Sequence, residues 1–357
     1  MHSKFSYLTG LFLILISLFS SCNDKLEINA EWKDITVVYG ILNQNDSIHY
    51  LKINNSFLGD YSAYDMAKVS DSIQYKQLEV ALYKVKIANG HNDTVKKIVF
   101  NDTILPKNAG IFATDNNVIY YSTERLLNNN ESSEDYRFDL SVYVPKYDKT
   151  VSASTYLLSK FPVDVPNTNP QVTVNLMARG DFPMKWRTTK NAKLYQVTIR
   201  FHWTEITTSG DTLSKYLDFV QPYVRSQTIT GNESMSQLLS GKSFLSFLGS
   251  EIPVSDTIVK RIAWEKALDF NFIVANDDMN TYIQVSQPSM GISQEKPMYS
   301  NIVNGVGIFA SRFNQSVPGK KLHQETLDSL SASHYTRQLK FLNNRETGEY
   351  WLQHPMK

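Results

Sequence analysis

Residues 195–204 read YQVTIRFHWT and carry the clearest structural signal in this chain of 357 residues. The odd-numbered positions, from Tyr195 to Trp203, are apolar, whereas the even-numbered positions are polar. Alternation with a period of two is typical of a β-strand that buries one of its faces. We therefore predict a long strand here, with His202 on its solvated face.

The N-terminal half of the chain shows the same strand-like alternation. Residues 136–144 place an apolar side chain at every second position and are followed by Pro145. The apolar residues of an earlier segment also share one parity: Ile35, Val37, Tyr39 and Ile41. A polar turn follows at residues 43–46, and helical periodicity is nearly absent from this half. These patterns predict a mainly β fold that begins with an antiparallel β-sandwich of the immunoglobulin or fibronectin kind at residues 34–160.

A proline-rich segment, residues 161–170, predicts a domain boundary. It reads FPVDVPNTNP, and its three prolines remove backbone donors and stiffen the chain. The alternative is a proline-rich edge strand within one larger domain.

The remainder of the chain is predicted to form a second β-rich domain with short helical insertions at residues 171–313. One insertion is a helix from Asn232 to about Leu248, because apolar residues recur there at helical spacing. Residues 314–357 form a C-terminal segment that is predicted to be partly helical, with a helix at residues 326–343.

The N-terminus has the pattern of an exported lipoprotein. Lys4 precedes an apolar run at residues 8–19, and the only cysteine of the chain, Cys22, follows shortly after. This arrangement resembles a bacterial lipobox, in which the cysteine sulfur is acylated after signal cleavage. We predict a signal peptide at residues 1–21, a lipid on Cys22 and a tether at residues 22–33. The alternative is an ordinary signal peptide followed by a cysteine that occurs by chance.

Charge and cysteine content exclude several classes of function. Removing Lys4 with the signal peptide leaves 35 basic and 35 acidic residues, so there is no basic excess to bind nucleic acid. Contact with the membrane is therefore assigned to the N-terminal lipid. Acylation of the single cysteine leaves no thiol for disulfides, metal–cysteine sites or a cysteine nucleophile. We find no catalytic motif and predict no cofactor, no metal and no enzymatic activity.

Aromatic residues are abundant, with 20 Tyr, 18 Phe and 5 Trp. Such side chains can form a platform on which sugars or peptides stack. Most Tyr and Trp residues of the predicted strands, Tyr39 among them, lie on the apolar parity. We therefore assign them to the core.

One tripeptide, Asp followed by Ser or Thr and then an aliphatic residue, recurs through the chain. Its hydroxyl residues are Ser47, Ser72, Thr94, Thr103, Thr212, Thr257 and Ser329. Composition alone predicts roughly one match, whereas seven are present. Asp could close a turn before each new strand. The tripeptide also resembles the O-glycosylation site of exported Bacteroidota proteins, and both interpretations remain open.

Four stretches together resemble one family of Bacteroidota outer-membrane lipoproteins, which is built on a domain of unknown function. They are residues 35–40 (ITVVYG), 192–201 (AKLYQVTIRF), 299–302 (YSNI) and 305–309 (GVGIF), within a resemblance that extends over about residues 22–313. The resemblance implies an N-terminal β-sandwich, a second β-rich domain and association with a TonB-dependent import system. It implies no catalytic residues.

The resemblance also implies an outer-membrane location. Surface-exposed members carry an acidic run after the cysteine, but Asn23-Asp24-Lys25 contains one acid. The side of the outer membrane that the protein faces is therefore undetermined.

Three hypotheses on function follow. The leading one is a non-enzymatic accessory or ligand-binding lipoprotein of the outer membrane. The second is a hydrolase of glycans or peptides with a carboxylate pair assembled from distant loops. The third is a structural part of an adhesion or secretion assembly.

Lipid attachment at Cys22 predicts that labelled palmitate is incorporated into the wild-type protein. Cys22→Ser removes the only thiol that can accept an acyl chain. The variant should therefore carry no label when equal amounts of the two proteins are compared on a gel. Label retained in the variant would contradict lipidation at this residue.

Overall fold

The computed structural model of the chain is mainly β, with 49% of residues in strands and 17% in helices. It describes residues 35–56, 68–69, 73–88, 90–108, 110, 117–263, 265–287 and 298–354. The predicted signal peptide, the tether, Cys22 and Ser72 lie outside the described residues.

Most strands precede the helices in the sequence. The strands are β1 (Thr36–Leu42), β2 (His49–Asn55), β3 (Glu79–Ala88), β4 (His91–Ile104), β5 (Val118–Ser122), β6 (Tyr136–Val144), β7 (Lys149–Tyr156), β8 (Val163–Val165), β9 (Thr173–Val174), β10 (Asp181–Arg187), β11 (Ala192–Thr207), β12 (Thr212–Val220), β13 (Val224–Arg225), β14 (Ser234–Ser240), β15 (Ile258–Ile262), β16 (Leu268–Asn276) and β17 (Gly305–Leu322). Within the described residues, the α-helices are α1 (Gly241–Glu251), α2 (Asp277–Ser286), α3 (Gln324–Ala332) and α4 (Asn344–Gln353).

The two strands with the clearest alternation are present as predicted. Every second residue of β6, from Tyr136 to Val144, is buried. In β11 the apolar set from Tyr195 to Trp203 is buried, and the side chains between them are partly exposed. The mainly β fold class is confirmed.

Most strands belong to one large mixed sheet, in which β17 has a special position. The strand order of this sheet is β12-β11-β16-β17-β1-β2-β5-β4-β3-β6-β7. Strands β8, β10 and β14 form a separate sheet. The first part of β17 pairs in parallel with β1, where Phe309 lies opposite Gly40. Its later part pairs antiparallel with β16, where Phe313 lies opposite Val274. One strand therefore connects the two halves of the sheet.

The N-terminal strands enclose a core of their own. Strand β4 pairs with β3 over residues 91–100 and with β5 over residues 101–104. It therefore belongs to two groups of strands, and buried side chains from both groups form one cluster with Phe309 of β17. The parallel pairing of β1 with β17 differs from the purely antiparallel arrangement predicted. The immunoglobulin or fibronectin assignment stays a prediction.

The C-terminal strands enclose a second, aromatic core. The ring of Trp186 lies 5.9 Å from that of Tyr195 and 5.6 Å from that of Phe272. Phe244 of α1 and Leu327 of α3 are buried in the same cluster. Helices α1 and α3 therefore cover the apolar face of the sheet that contains β11.

The described residues from Ile35 onward form one compact unit by their contacts. Within the proline-rich segment, β8 is the edge strand of the three-stranded sheet, and Phe161 is buried in the aromatic core. Each half has its own core, which favours two domains, but β17 contributes side chains to both cores. The division into domains at 34–160 and 171–313 therefore stays a prediction.

Two helix predictions need correction. Residues 234–240 form β14, and the helix that follows begins at Gly241, with Ser240 as its N-cap. Asn232 has a positive φ of 60° and does not cap the helix. The segment at 326–343 is divided between α3 and a 3-10 turn at Arg337–Leu339. In both segments, tertiary packing overrides a helical pattern of apolar residues.

Close approach of β1 and β17 requires glycine. A Cβ on Gly307 would lie 2.0 Å from the carbonyl oxygen of Val38, and the φ of Gly307 is +120°. A Cβ on Gly40 would lie 2.3 Å from a methyl carbon of Leu51 and 3.0 Å from the ring of Phe309. These two glycines let the strands pair where the N-terminal core meets β17.

Gly307→Ala should therefore lower the free energy of unfolding by about 2–4 kcal/mol, because the clash and the strained φ act together. Gly348→Ala is the matched control. Its Cβ would meet nothing within 4 Å, and alanine gains up to about 1 kcal/mol over glycine in a helix. Urea unfolding of both variants measures the difference, and equal effects would contradict the tight β1–β17 contact.

Candidate functional site

A concavity lies on the outward face of β1 and β2, beside α2. Its volume is about 480 Å³. Tyr39, Ile41 and Tyr50 form its floor, and Met279, Tyr282 and Ile283 of α2 form one wall. Asp46, Ile48 and Arg312 close one end. We call this concavity the outer groove.

The floor of the outer groove is apolar and open to solvent. The exposed fractions are 45% for Tyr39, 40% for Ile41 and 45% for Tyr50. Large apolar side chains that cluster on a surface mark binding sites more often than singly scattered ones do. Tyr39 was predicted to be core, and this prediction is wrong.

The pleat of β1 explains the error. Val38 and Leu42 point into the N-terminal core, so Tyr39 and Ile41 must point outward. Pairing places Tyr39 beside Ile308 of β17 and Lys52 of β2. Both faces of β1 are apolar, and the face that carries the predicted set is the outward one.

The wall of the groove is held by hydrogen bonds at the start of α2. The side chain of Asn276 accepts from the backbone N–H of Met279 and donates to Thr155 of β7. The Asp278 carboxylate accepts from the hydroxyl of Tyr299 at 2.6 Å. The negative charges of Asp277 and Asp278 also interact favourably with the positive, N-terminal end of the helix dipole. These contacts fix the position of the helix over the outward face of the sheet.

Burial and hydrogen bonding shape the charge of the groove. Burial raises the pKa of Tyr39, and Tyr282 adds to that shift through charge and a hydrogen bond. Burial lowers the pKa of Lys52, whose ammonium donates to Asn117 and to the carbonyl of Val118, each at 2.8 Å. The ammonium of Lys52 is thus held by groups at the edge of the groove.

Arg312 and Asp46 lie at the closed end. The distance from Nη2 of Arg312 to Oδ2 of Asp46 is 3.7 Å, longer than a hydrogen bond. The other oxygen of Asp46 accepts from Asn43 at 2.9 Å. Nε of Arg312 is enclosed and has no hydrogen-bond acceptor.

A second concavity, of about 410 Å³, contains His202. Nε2 of His202 lies 2.8 Å from Oδ2 of Asp269, so this side chain, which is 38% exposed on the polar face of its strand, also has a side-chain partner. Oδ1 of Asp269 accepts from the backbone N–H of Gly319, and Glu265 forms an ion pair with Lys321. Both carboxylates of this concavity therefore have hydrogen-bond or ion-pair partners within the fold.

Buried charges elsewhere in the described chain serve packing. Arg261 donates to Glu205 at 2.8 Å and to the carbonyl of Leu339 at 2.7 Å. Lys84 pairs with Glu131, and the backbone N–H of Asn128 and then Lys84 lower the pKa of Glu131 to about 2. Removing one partner of such a pair would leave an uncompensated buried charge and destabilise the fold.

Two searches of the described residues give negative results. No three His, Cys, Asp or Glu side chains lie together in an arrangement that could hold a metal ion. No helix within the same ranges is long and apolar enough to cross a membrane.

The structure distinguishes among the repeated Asp-Ser/Thr-aliphatic sites. Four hydroxyl residues are exposed: Ser47, Thr94, Thr212 and Thr257. Thr103 is half-buried within β4, and Ser329 is half-buried within α3, where it donates to the carbonyl of Glu325. An aspartate that closes a turn before a strand explains the sites at 47, 212 and 257. It does not explain those at 94, 103 and 329, which lie inside elements.

Comparisons with known proteins identify no family. A scan against family models gives no match, and a search of curated proteins gives none. Among solved structures, the chain is similar to the C-terminal globular domain of an oligosaccharyltransferase from Pyrococcus abyssi, with 11% identity and a TM-score of 0.22. The match covers 60% of this chain and 39% of that one. Similarity this low supports no inference, and the resemblance over residues 22–313 stays a prediction.

Sequence reasoning missed Tyr50, Tyr282 and Arg312 as members of one site. They lie on three elements that are distant in the sequence, so no local spacing connects them. The available signal was in β1, where Val38 and Leu42 offer a second apolar face opposite Tyr39 and Ile41. When both faces of a strand are apolar, the second face is either covered by another element or left exposed, where a ligand can bind.

Glycosylation at the repeated tripeptide predicts sugar on the exposed hydroxyls in the native host. Replacing the four exposed residues, Ser47, Thr94, Thr212 and Thr257, by alanine should reduce glycan staining and increase gel mobility. Ser329→Ala is the control, because its hydroxyl is bonded within a helix, and it should change neither. Unchanged mobility of the fourfold variant would contradict the hypothesis.

Proposed function

We propose that this protein is a non-enzymatic, ligand-binding lipoprotein of the outer membrane. It holds an apolar ligand in the outer groove. The lipid on Cys22 keeps the folded part near the membrane, and the tether at residues 22–33 allows it a reach of roughly 40 Å when extended.

The observation that carries the proposal is the apolar, solvent-exposed floor formed by Tyr39, Ile41 and Tyr50. Small-molecule sites are concave, mostly apolar and hold a few polar groups, with volumes of about 300–1,000 Å³. The outer groove has this composition, with apolar side chains along its floor and wall and Arg312 and Asp46 at one end. Binding, and not bond cleavage, is the function that such a lining favours.

The lipid anchor and the outer-membrane location are supported by the N-terminal sequence pattern and by the family resemblance. Association with a TonB-dependent importer is supported by the resemblance alone. In the same proposal, residues 34–160 form a sandwich of the immunoglobulin or fibronectin kind. Two groups of strands around one core, joined by β4, support that assignment.

A neutral fluorescent probe, N-phenyl-1-naphthylamine, tests the groove directly. The full chain with Cys22→Ser, which carries no lipid at that position, should bind the probe and increase its emission. Tyr39→Ser with Tyr50→Ser should weaken binding about tenfold or more, because each lost aromatic contact contributes roughly 0.5–1.5 kcal/mol beyond its buried area.

Tyr216→Ser with Tyr223→Ser is the matched control, since both tyrosines are exposed and lie outside the groove. This variant should bind the probe as the parent chain does. Equal binding by the groove variant and the control would contradict the proposal. Circular dichroism of the three proteins confirms that the substitutions leave the fold intact.

A further inference from the structure

We propose that the ligand of the outer groove is a small amphipathic monocarboxylate whose carboxylate pairs with Arg312 and whose apolar part lies over Ile41 and Tyr39. This inference rests on the proposed function, because it names the ligand class for the same groove.

Arg312 is directed to the groove by the pleat of β17. Ile308 pairs with Tyr39 and Ala310 pairs with Ile41, so these residues share the outward face. Arg312 follows at the next position of the same parity. Its side chain is 43% exposed although Nε is enclosed, so the exposed area belongs to the rest of the side chain.

The guanidinium of Arg312 has unused hydrogen-bonding capacity. It carries five N–H donors, and a carboxylate can accept two of them in parallel. Asp46 is the ion-pair partner that the described residues supply, and it lies 3.7 Å away without forming a hydrogen bond. A ligand carboxylate can therefore form contacts that Asp46 does not.

The other charged groups of the groove favour a single negative charge. Asn117 and the carbonyl of Val118 take two of the three N–H donors of Lys52, so its ammonium has one donor left and cannot hold a second anion in a bidentate pair. Burial lowers the pKa of His49, opposed by the charge of Asp46 and the backbone of Glu124, and this shift favours the neutral imidazole. Asp46 repels additional negative charge near Arg312. A dianion such as a phosphate monoester is therefore disfavoured.

The geometry of the strands sets the size of the apolar part. Along a strand, alternate residues on one face are separated by about 7 Å, so Ile41 and Tyr39 lie roughly 7 and 13 Å from the level of Arg312. An aryl or acyl chain of four or more carbons reaches the first of these side chains. The groove volume of about 480 Å³ accommodates such a molecule.

Matched probes separate the carboxylate from the apolar part. The full chain with Cys22→Ser is titrated with 4-phenylbutyrate and with 4-phenylbutanol, and binding is followed by NMR shifts of the methyl groups of Ile41, Ile283 and Met279. The acid should bind about tenfold more tightly than the alcohol, as expected for a charge-assisted bidentate pair at a half-exposed site.

Three variants identify the group responsible. Arg312→Met should remove the preference for the acid, so that the acid and the alcohol bind with equal affinity. Asp46→Asn keeps an acceptor for Asn43 and should strengthen acid binding several-fold, because it removes a competing negative charge. Arg345→Met is the control, since Arg345 is an exposed arginine outside the groove with an ion pair to Glu349.

The outcomes distinguish this inference from the proposed function. Equal affinity for acid and alcohol in the parent chain, or an unchanged preference in Arg312→Met, would overturn the carboxylate assignment and leave the groove as an apolar site. Absence of methyl shifts with both compounds, together with no binding of the neutral naphthylamine, would overturn the proposed function itself.

Discussion

The parallel pairing of β1 with β17 is the contact on which the rest of the structure depends. Strand β17 gives Phe309 to the N-terminal core and Phe313 to the aromatic core. Gly307 and Gly40 make the approach of the two strands possible. Because the pleat then fixes the direction of every side chain on β1, this one pairing decides which apolar residues are buried and which form the outer groove.

The function follows from that choice of face. Both faces of β1 are apolar, and the N-terminal core covers only the face that carries Val38 and Leu42. Here α2 shields part of that face, and Tyr39, Ile41 and Tyr50 stay accessible beside it. The same strand that buries Phe309 carries Arg312 to the end of the groove, so core packing and the placement of the charge are properties of one element.

The sequence predicts the parts of the fold that depend on local patterns. Alternation over residues 136–144 and 195–204 identifies β6 and β11, because one face of each strand is consistently apolar. Local alternation shows that both faces of β1 are apolar, but it does not decide which face points outward, since the partner strand β17 lies some 270 positions later in the chain. The segment at 234–240 was assigned to a helix because short apolar runs fit either period. Strand register alone places Arg312 at the site, and no local sequence motif indicates this position.

The most direct test of the central claim is the reactivity of single cysteines at two adjacent positions of β1. With Cys22→Ser as background the chain has no other thiol, so Tyr39→Cys and Val38→Cys each introduce one reporter. In the native protein, Tyr39→Cys should react rapidly with a maleimide and be protected by a bound apolar ligand, whereas Val38→Cys should react only after unfolding. Rapid reaction at position 38, together with slow reaction at position 39 in the absence of ligand, would contradict the outward groove.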